Sequence, residues 1–209
     1  VNQIGSTGIS ATTIAVVFDQ HTGGNLDVGS QLEFSATTPI TLNTSSSIPG
    51  YSEDTRVVYA SRVLSYQITQ RTLATTTNNC VIMELAISNT SSITPLTGGK
   101  LLCMVDIQVG RVPEGDEGGF DPVRRLVYQR DYNGTELPYA GDAMGISLLE
   151  GDLRGYGVNG NGYPDPSSDT SLKTEMITPT SAIADGNNDV SWLVANIPDL
   201  PPGQDTLSA

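Results

Sequence analysis

The chain has 209 residues and a formal charge of −13, with 23 acidic against 10 basic side chains. That length suits one large domain or two small ones, each able to bury a core. An acidic field of this size repels nucleic acid and anionic membrane surfaces while attracting divalent cations, and the longest apolar run near the start, Ile14 to Phe18, falls far short of the roughly 20 residues of a membrane span.

In chain order, the first half reads as strands. The segments "ATTIAVVFDQ", "SQLEFSAT", "TRVVYASRVLSYQIT", "CVIMELAIS" and "KLLCMVDIQV" are rich in Val, Ile, Thr and Tyr and are separated by clusters of Gly, Pro, Asn and Ser. No sustained helical period interrupts them. In the last two, alternation sets Val81, Met83, Leu85 and Ile87 on one face and Leu101, Cys103, Val105, Ile107 and Val109 on another, faces expected to meet in a core. Short strands joined by polar turns predict a mainly β chain, an antiparallel β-sandwich over residues 1–110.

The same two segments carry both cysteines. An even count in an extracellular chain predicts one disulfide, Cys80 to Cys103, worth about 3 kcal/mol by loop-closure entropy. A hairpin about Asn89–Gly99 would set Cys103 opposite Leu85 instead, so the bridge needs a bulge, an intervening strand, or Cys80 just outside its strand. Three Asn-X-Ser/Thr sequons, at Asn43, Asn89 and Asn133, fit a glycosylated outer surface.

After Val109 the composition changes. Residues 1–110 hold four basic and seven acidic groups, whereas 111–209 hold six and sixteen. "GRVPEGDEGGFDP" reads as a linker or acidic loop, "VRRLVYQR" as a strand, and "VSWLVANI" as a short apolar segment with the sole tryptophan, Trp192. The remainder, a loop-rich acidic region over 111–209, either completes the sandwich or forms a small calcium-binding module. Calcium takes six to eight oxygen ligands, and short loops that alternate Asp or Asn with Gly supply them. Three such clusters occur: Asp131, Asn133 and Asp142; Asn159, Asn161, Asp165 and Asp169; and Asp185, Asn187 and Asp189. In the first, Asn133-Gly134 is also a two-residue hairpin signal, and the two readings are compatible. "GYGVNG" matches a dinucleotide fingerprint, but Pro164 and Pro166 stand where its helix would start, which rejects it.

Two family resemblances follow from these strings. The order "ISATTIAVVFD…LDVGSQLEF" and then "CVIMELAISNTSSITPLTGGKLLCMVDIQV" resembles the cohesin family and its carbohydrate-binding relatives over about residues 8–110, with "FDQHTGGNLDV" departing from the family's turn after the first strand. The first acidic cluster, with Thr135, the Leu137 carbonyl and a short helix in "AMGISLLEG", resembles half of a dockerin, although Glu136 stands where that loop has glycine. These resemblances imply a jelly-roll-like sandwich, calcium as the bound ion, and docking between chains.

Catalytic motifs are absent from the sequence. The single histidine, His21, lies in a polar turn, and there is no nucleophile elbow, zinc-protease helix, phosphate loop or Cys-X-X-Cys. The sequence therefore predicts a non-catalytic extracellular or cell-surface protein, a calcium-stabilised subunit of a filament, pilus-like fibre or matrix. Its partner is itself, by strand addition through "ISATTIAVVF" or "VSWLVANI" or by head-to-tail docking. The alternative is a carbohydrate- or dockerin-binding module, with Tyr51, Tyr59, Tyr66, Tyr156, Tyr163 and Trp192 as a polysaccharide platform; a glycoside hydrolase ranks last.

Overall fold

The computed structural model describes residues 2–5, 15–18, 34–39, 41–43, 49–61, 65–75, 80–106, 109, 116–131, 143–159, 174–183 and 190–206. They form fourteen strands. In chain order these are β1 (Asn2–Gly5), β2 (Ala15–Phe18), β3 (Phe34–Ala36), β4 (Thr41–Asn43), β5 (Tyr51–Ser61), β6 (Tyr66–Thr75), β7 (Val81–Asn89), β8 (Lys100–Asp106), β9 (Asp116–Asp121), β10 (Leu126–Asp131), β11 (Ala143–Ser147), β12 (Asp152–Asn159), β13 (Ser181–Ile183) and β14 (Val190–Asn196). The mainly β expectation holds. Pairing is antiparallel throughout except for β1 on β8 and β12 on β13, which are parallel.

The chain divides into two compact units, and not at Gly110. One unit comprises Val1–Leu32 with Lys100–Ile197, the other Glu33–Gly99 with Pro198–Ala209. The reason is long-range pairing. β8 takes β14 and β1 as neighbours, Leu102 opposite Val194 and Met104 opposite Trp192, so it belongs with the later half of the chain. β7 pairs with β6 and not with β8, so the loop between them joins strands of different sheets.

The first unit contains a six-stranded sheet, ordered β13-β12-β14-β8-β1-β2, and a three-stranded antiparallel sheet, β11-β10-β9. The two meet through Val127, Phe120 and Ile146 of the smaller sheet and Tyr156, Val158, Leu153 and Leu193 of the larger, joined by Leu148. Tyr156 stacks on Phe120 with centroids 3.5 Å apart and planes 11° from parallel. Both tyrosine and tryptophan are thus spent on packing. Trp192 is 1% exposed, on the opposite face of the six-stranded sheet, clustered with Leu102, Met104, Val190 and Val194 and covered by Met176. Met176 belongs to a helical turn at 174–177, whose neighbouring Glu175 is fully buried. Its carboxylate accepts from Trp192 Nε1 at 3.0 Å and from the Thr180 amide at 2.8 Å, so a buried charge is stabilised by hydrogen bonds while it fixes the indole.

The glycines of "GYGVNG" have a packing role here. A Cβ on Gly155 would lie 2.5 Å from Pro179 Cβ, and one on Gly157 would lie 2.2 Å from Trp192 Cζ2. Their missing side chains let the 179–182 segment and the indole approach β12.

The β8 expectation is corrected in phase. Its buried side chains are Leu102 and Met104, while Leu101, Cys103 and Val105 are only half-buried. Every residue from 101 to 105 is apolar, so alternation could not choose the face. β14, with Val190–Ala195 all buried between β12 and β8, is a central strand of its own sheet and not a free donor.

The second unit is one antiparallel sheet, β3-β5-β6-β7, with β4 also on β5. Pairing aligns Val57, Gln70 and Leu85 in one row and Tyr59, Ile68 and Ile87 in the next, all on one face. The other face carries Asp54 and Glu84 either side of Arg71. Arg71 donates to both Asp54 oxygens, at 2.8 and 2.6 Å, and its cation holds the Asp54 carboxyl below the usual range. The edge of β7 is covered where residues 198–206 return. Thr206 N donates to Ile87 O, Ile87 N to Thr206 Oγ1, and Asn89 N to Gln204 O.

Candidate functional site

Among the described residues, the three-stranded sheet of the first unit has β9 and β11 as its two edge strands. β9 and β10 join through residues 122–125, a turn built by Asp121. Its Oδ1 accepts from the Val123 and Arg124 amides and its Oδ2 from the Arg124 guanidinium, which together hold its carboxyl below the ordinary value. The last turn residue, Arg125, has φ of 49°, a conformation costly for a branched-out side chain. It is held there because its guanidinium donates to the carbonyls of Leu149 and Gly151.

Beside this turn lies a shallow concavity of about 390 Å³ lined by Val123, Arg124, Arg125, Leu126, Ser147, Leu148 and Leu149. Val123 is 89% and Leu149 57% exposed, so its rim is apolar. β11 runs directly into it. This strand, "AMGIS", pairs on one side with β10, Arg130 opposite Ala143 through Leu126 opposite Ser147, and is an edge of its sheet on the other. It carries no charge and no proline, and only Ile146 turns substantially into the core. β13, "SAI", is likewise an uncharged, fully exposed edge strand.

On the outer face of this sheet Tyr128 lies over Gly119, whose added Cβ would sit 2.3 Å from the phenol carbon Cζ, while Glu117 pairs with Arg130 one row away. Here the structure departs from sequence expectation twice. "DEGGFD", expected in a loop, is β9, its glycines covered by the tyrosine. "AMGIS", expected to begin a helix, is β11. The expected two-residue turn at Asn133-Gly134 would set Arg130 opposite Leu137, whereas its partner is Ala143. The hairpin therefore exists with a longer connection, residues 132–142.

Of the expected calcium ligands, Asp131 ends β10 and Asn159 ends β12, where it is half-buried. Asn133, Asp142, Asn161, Asp165, Asp169, Asp185, Asn187 and Asp189 lie outside the described residues, as do His21 and Tyr163. Among the described residues no group of three or more potential ligands converges. The register sets Asp116 directly across from Asp131.

Cys80 falls in the second unit and Cys103 in the first, without the expected bridge between them. Cys80 precedes β7 and is exposed, while Cys103 lies in β8 opposite Leu193, where burial pushes its thiol up to about 11. Of the sequons, Asn133 is undescribed, Asn43 sits in β4, and Asn89 is only 2% exposed. Asn89 Nδ2 donates to Thr94 O, Leu200 O and Pro201 O at 2.9, 3.0 and 3.2 Å, and its Oδ1 accepts from the Ser91 amide. The nitrogen a glycan would occupy is committed to closing the loop and the tail.

Compared with known proteins, the sequence matches no protein-family model and no curated protein. The geometry alone bears on function.

Proposed function

We propose that this is a non-catalytic structural protein of the cell exterior that assembles with copies of itself by strand addition. The observation that carries this reading is the edge strand β11, the longest of the uncharged edge strands among the described residues, in a chain with 33 charged side chains. Soluble β-proteins guard such edges with lysine, proline, bulges or a covering loop, because an unpaired strand is a template for another. β7 is guarded in this manner at Ile87–Asn89 by the returning tail; among the described residues no strand pairs with the outer edge of β11. An edge left open beside an apolar concavity suits main-chain pairing for affinity and a side-chain pocket for specificity.

Calcium enters the same reading through the acid-rich connections. The register that sets Asp116 across from Asp131 supports it, since it brings together two residues of the oxygen-ligand type that calcium takes. Burial of Trp192 and the packing of half-buried Tyr156 on Phe120 weigh against the polysaccharide platform.

Light scattering behind size-exclusion chromatography, over a range of protein concentrations and in millimolar calcium or chelator, tests both parts. The expected result is a mass that climbs above the 22.0 kDa of one chain with concentration, and climbs further in calcium. A constant single-chain mass under all conditions overturns self-assembly, and growth indifferent to chelator overturns the calcium role alone.

A further inference from the structure

Resting on the self-assembly reading, we infer that the first contact is a two-fold pairing of β11 with β11 of a second copy, antiparallel and centred on Gly145. β13, with three residues, is too short to nucleate such a contact, whereas β11 offers five. The strand is also self-complementary. About a two-fold axis at Gly145, Ala143 faces Ser147 of the second copy and Met144 faces Ile146, so small meets small and apolar meets apolar.

Met144 supplies the motive for covering this edge. It lies opposite Gln129, on the side of the sheet that faces the core, yet it is 41% exposed, at an edge where no further strand pairs among the described residues. In the two-fold pair it gains the neighbour's Ile146. Gly145 suits the axis. A Cβ there would lie 2.4 Å from Val127 O, so the position holds a strand without a side chain, and two backbones can approach evenly.

Beside β11, on β10 and its turn, Arg124 pairs with Asp121 and Arg130 with Glu117, so these four charges cancel in pairs and do not oppose the approach of a second copy. A five-residue strand pair is smaller than the roughly 1,200 Å² of standard stable interfaces, so the dimer dissociates readily and forms at high local concentration. Being isologous it closes at two copies, and longer assemblies need a second, different contact.

Cysteine pairing reads the register directly. Ala143→Cys and Ser147→Cys are each made in a Cys80→Ser chain, oxidised alone and as an equal mixture, and analysed on non-reducing gels beside light scattering of the unmodified protein. Identical positions stand about 13 Å apart across the pair, given 3.4 Å per residue, whereas positions 143 and 147 are direct neighbours. The expected result is a disulfide dimer in the mixture and little in either variant alone, with Met144→Lys weakening wild-type dimerisation at least tenfold while its Trp192 fluorescence stays native. Assembly by light scattering without a cross-link in the mixture, or with equal cross-linking of the single variants, overturns this register and leaves self-assembly standing. A monomeric wild-type chain at every concentration overturns both.

Discussion

Replacing Gly157 with alanine tests whether the indole of Trp192 is as tightly confined as its surroundings indicate. The added methyl would lie 2.2 and 2.4 Å from Trp192 Cζ2 and Cη2 and 2.7 Å from Ala182 O. Neither neighbour yields easily. The indole is 1% exposed, packed on Leu102, Met104 and Val194, and tied by Nε1 to Glu175; the carbonyl belongs to β13, held in register on β12. Overpacking of this kind costs about 1–3 kcal/mol. Displacing the indole from the buried carboxylate adds about 1.5–3 kcal/mol for a charge-assisted hydrogen bond, and alanine in a strand returns about 0.5–1 kcal/mol of glycine's backbone entropy. The expected net loss is about 1.5–5.5 kcal/mol. Trp192 is the only tryptophan, so its fluorescence during urea unfolding reports the first unit without labelling. Gly119→Ala is the matched control, because its clash is with the phenol end of Tyr128, a half-exposed side chain that can swing away; it should cost under about 1 kcal/mol. A Gly157→Ala variant within about 0.5 kcal/mol of wild type would refute the confinement argument.

Three further outcomes are expected. Asn89→Ala removes the amide that joins Thr94, Leu200 and Pro201 and should destabilise the second unit by about 2–3 kcal/mol, seen as faster proteolysis after residue 197; unchanged protease resistance contradicts the role given to it. Asp54 is held below its ordinary value of 3.8 by Arg71, so its contribution is complete above that value and fades as pH falls through the depressed folded value; Asp54→Asn should flatten this acid limb of the stability profile, and an unaltered limb counts against the pair. Thiol titration should find one fast-reacting group, Cys80, in the native protein at pH 8 and a second, Cys103, only after denaturation, whereas no titratable thiol in denaturant would mean that the two are bridged.

Strand content was legible because Val, Ile, Thr and Tyr dominate between turn residues, and "CVIMELAIS" became β7 with Leu85 and Ile87 buried as its alternation required. What local pattern could not convey was which strands are central. β14 is apolar at almost every position because both its faces are covered, β8 is equally apolar with one face buried and the other half-buried, and a continuous apolar run has no readable phase. The short segment "AMGIS" is too brief for periodicity to distinguish helix from strand, and its pairing with β10 decided the matter. The polar site residues failed for a different cause. A sequon or an Asp/Gly cluster announces a side-chain type, while its availability depends on distant backbone, as Asn89 shows by spending its amide on carbonyls more than 100 positions away.

The returning tail also governs the order of events during synthesis. Thr206 closes the β7 edge at Ile87 across 119 positions, and β8 finds β14 only after some ninety intervening residues. Neither unit is one continuous stretch of chain, so neither can finish on the ribosome while the other waits. Until residues 198–206 emerge, the β7 edge stays open to the same strand exchange that β11 invites, and premature pairing in a crowded compartment becomes the natural route to misassembly. A chaperone that delays contact between nascent copies would therefore serve this protein more than one that speeds its folding.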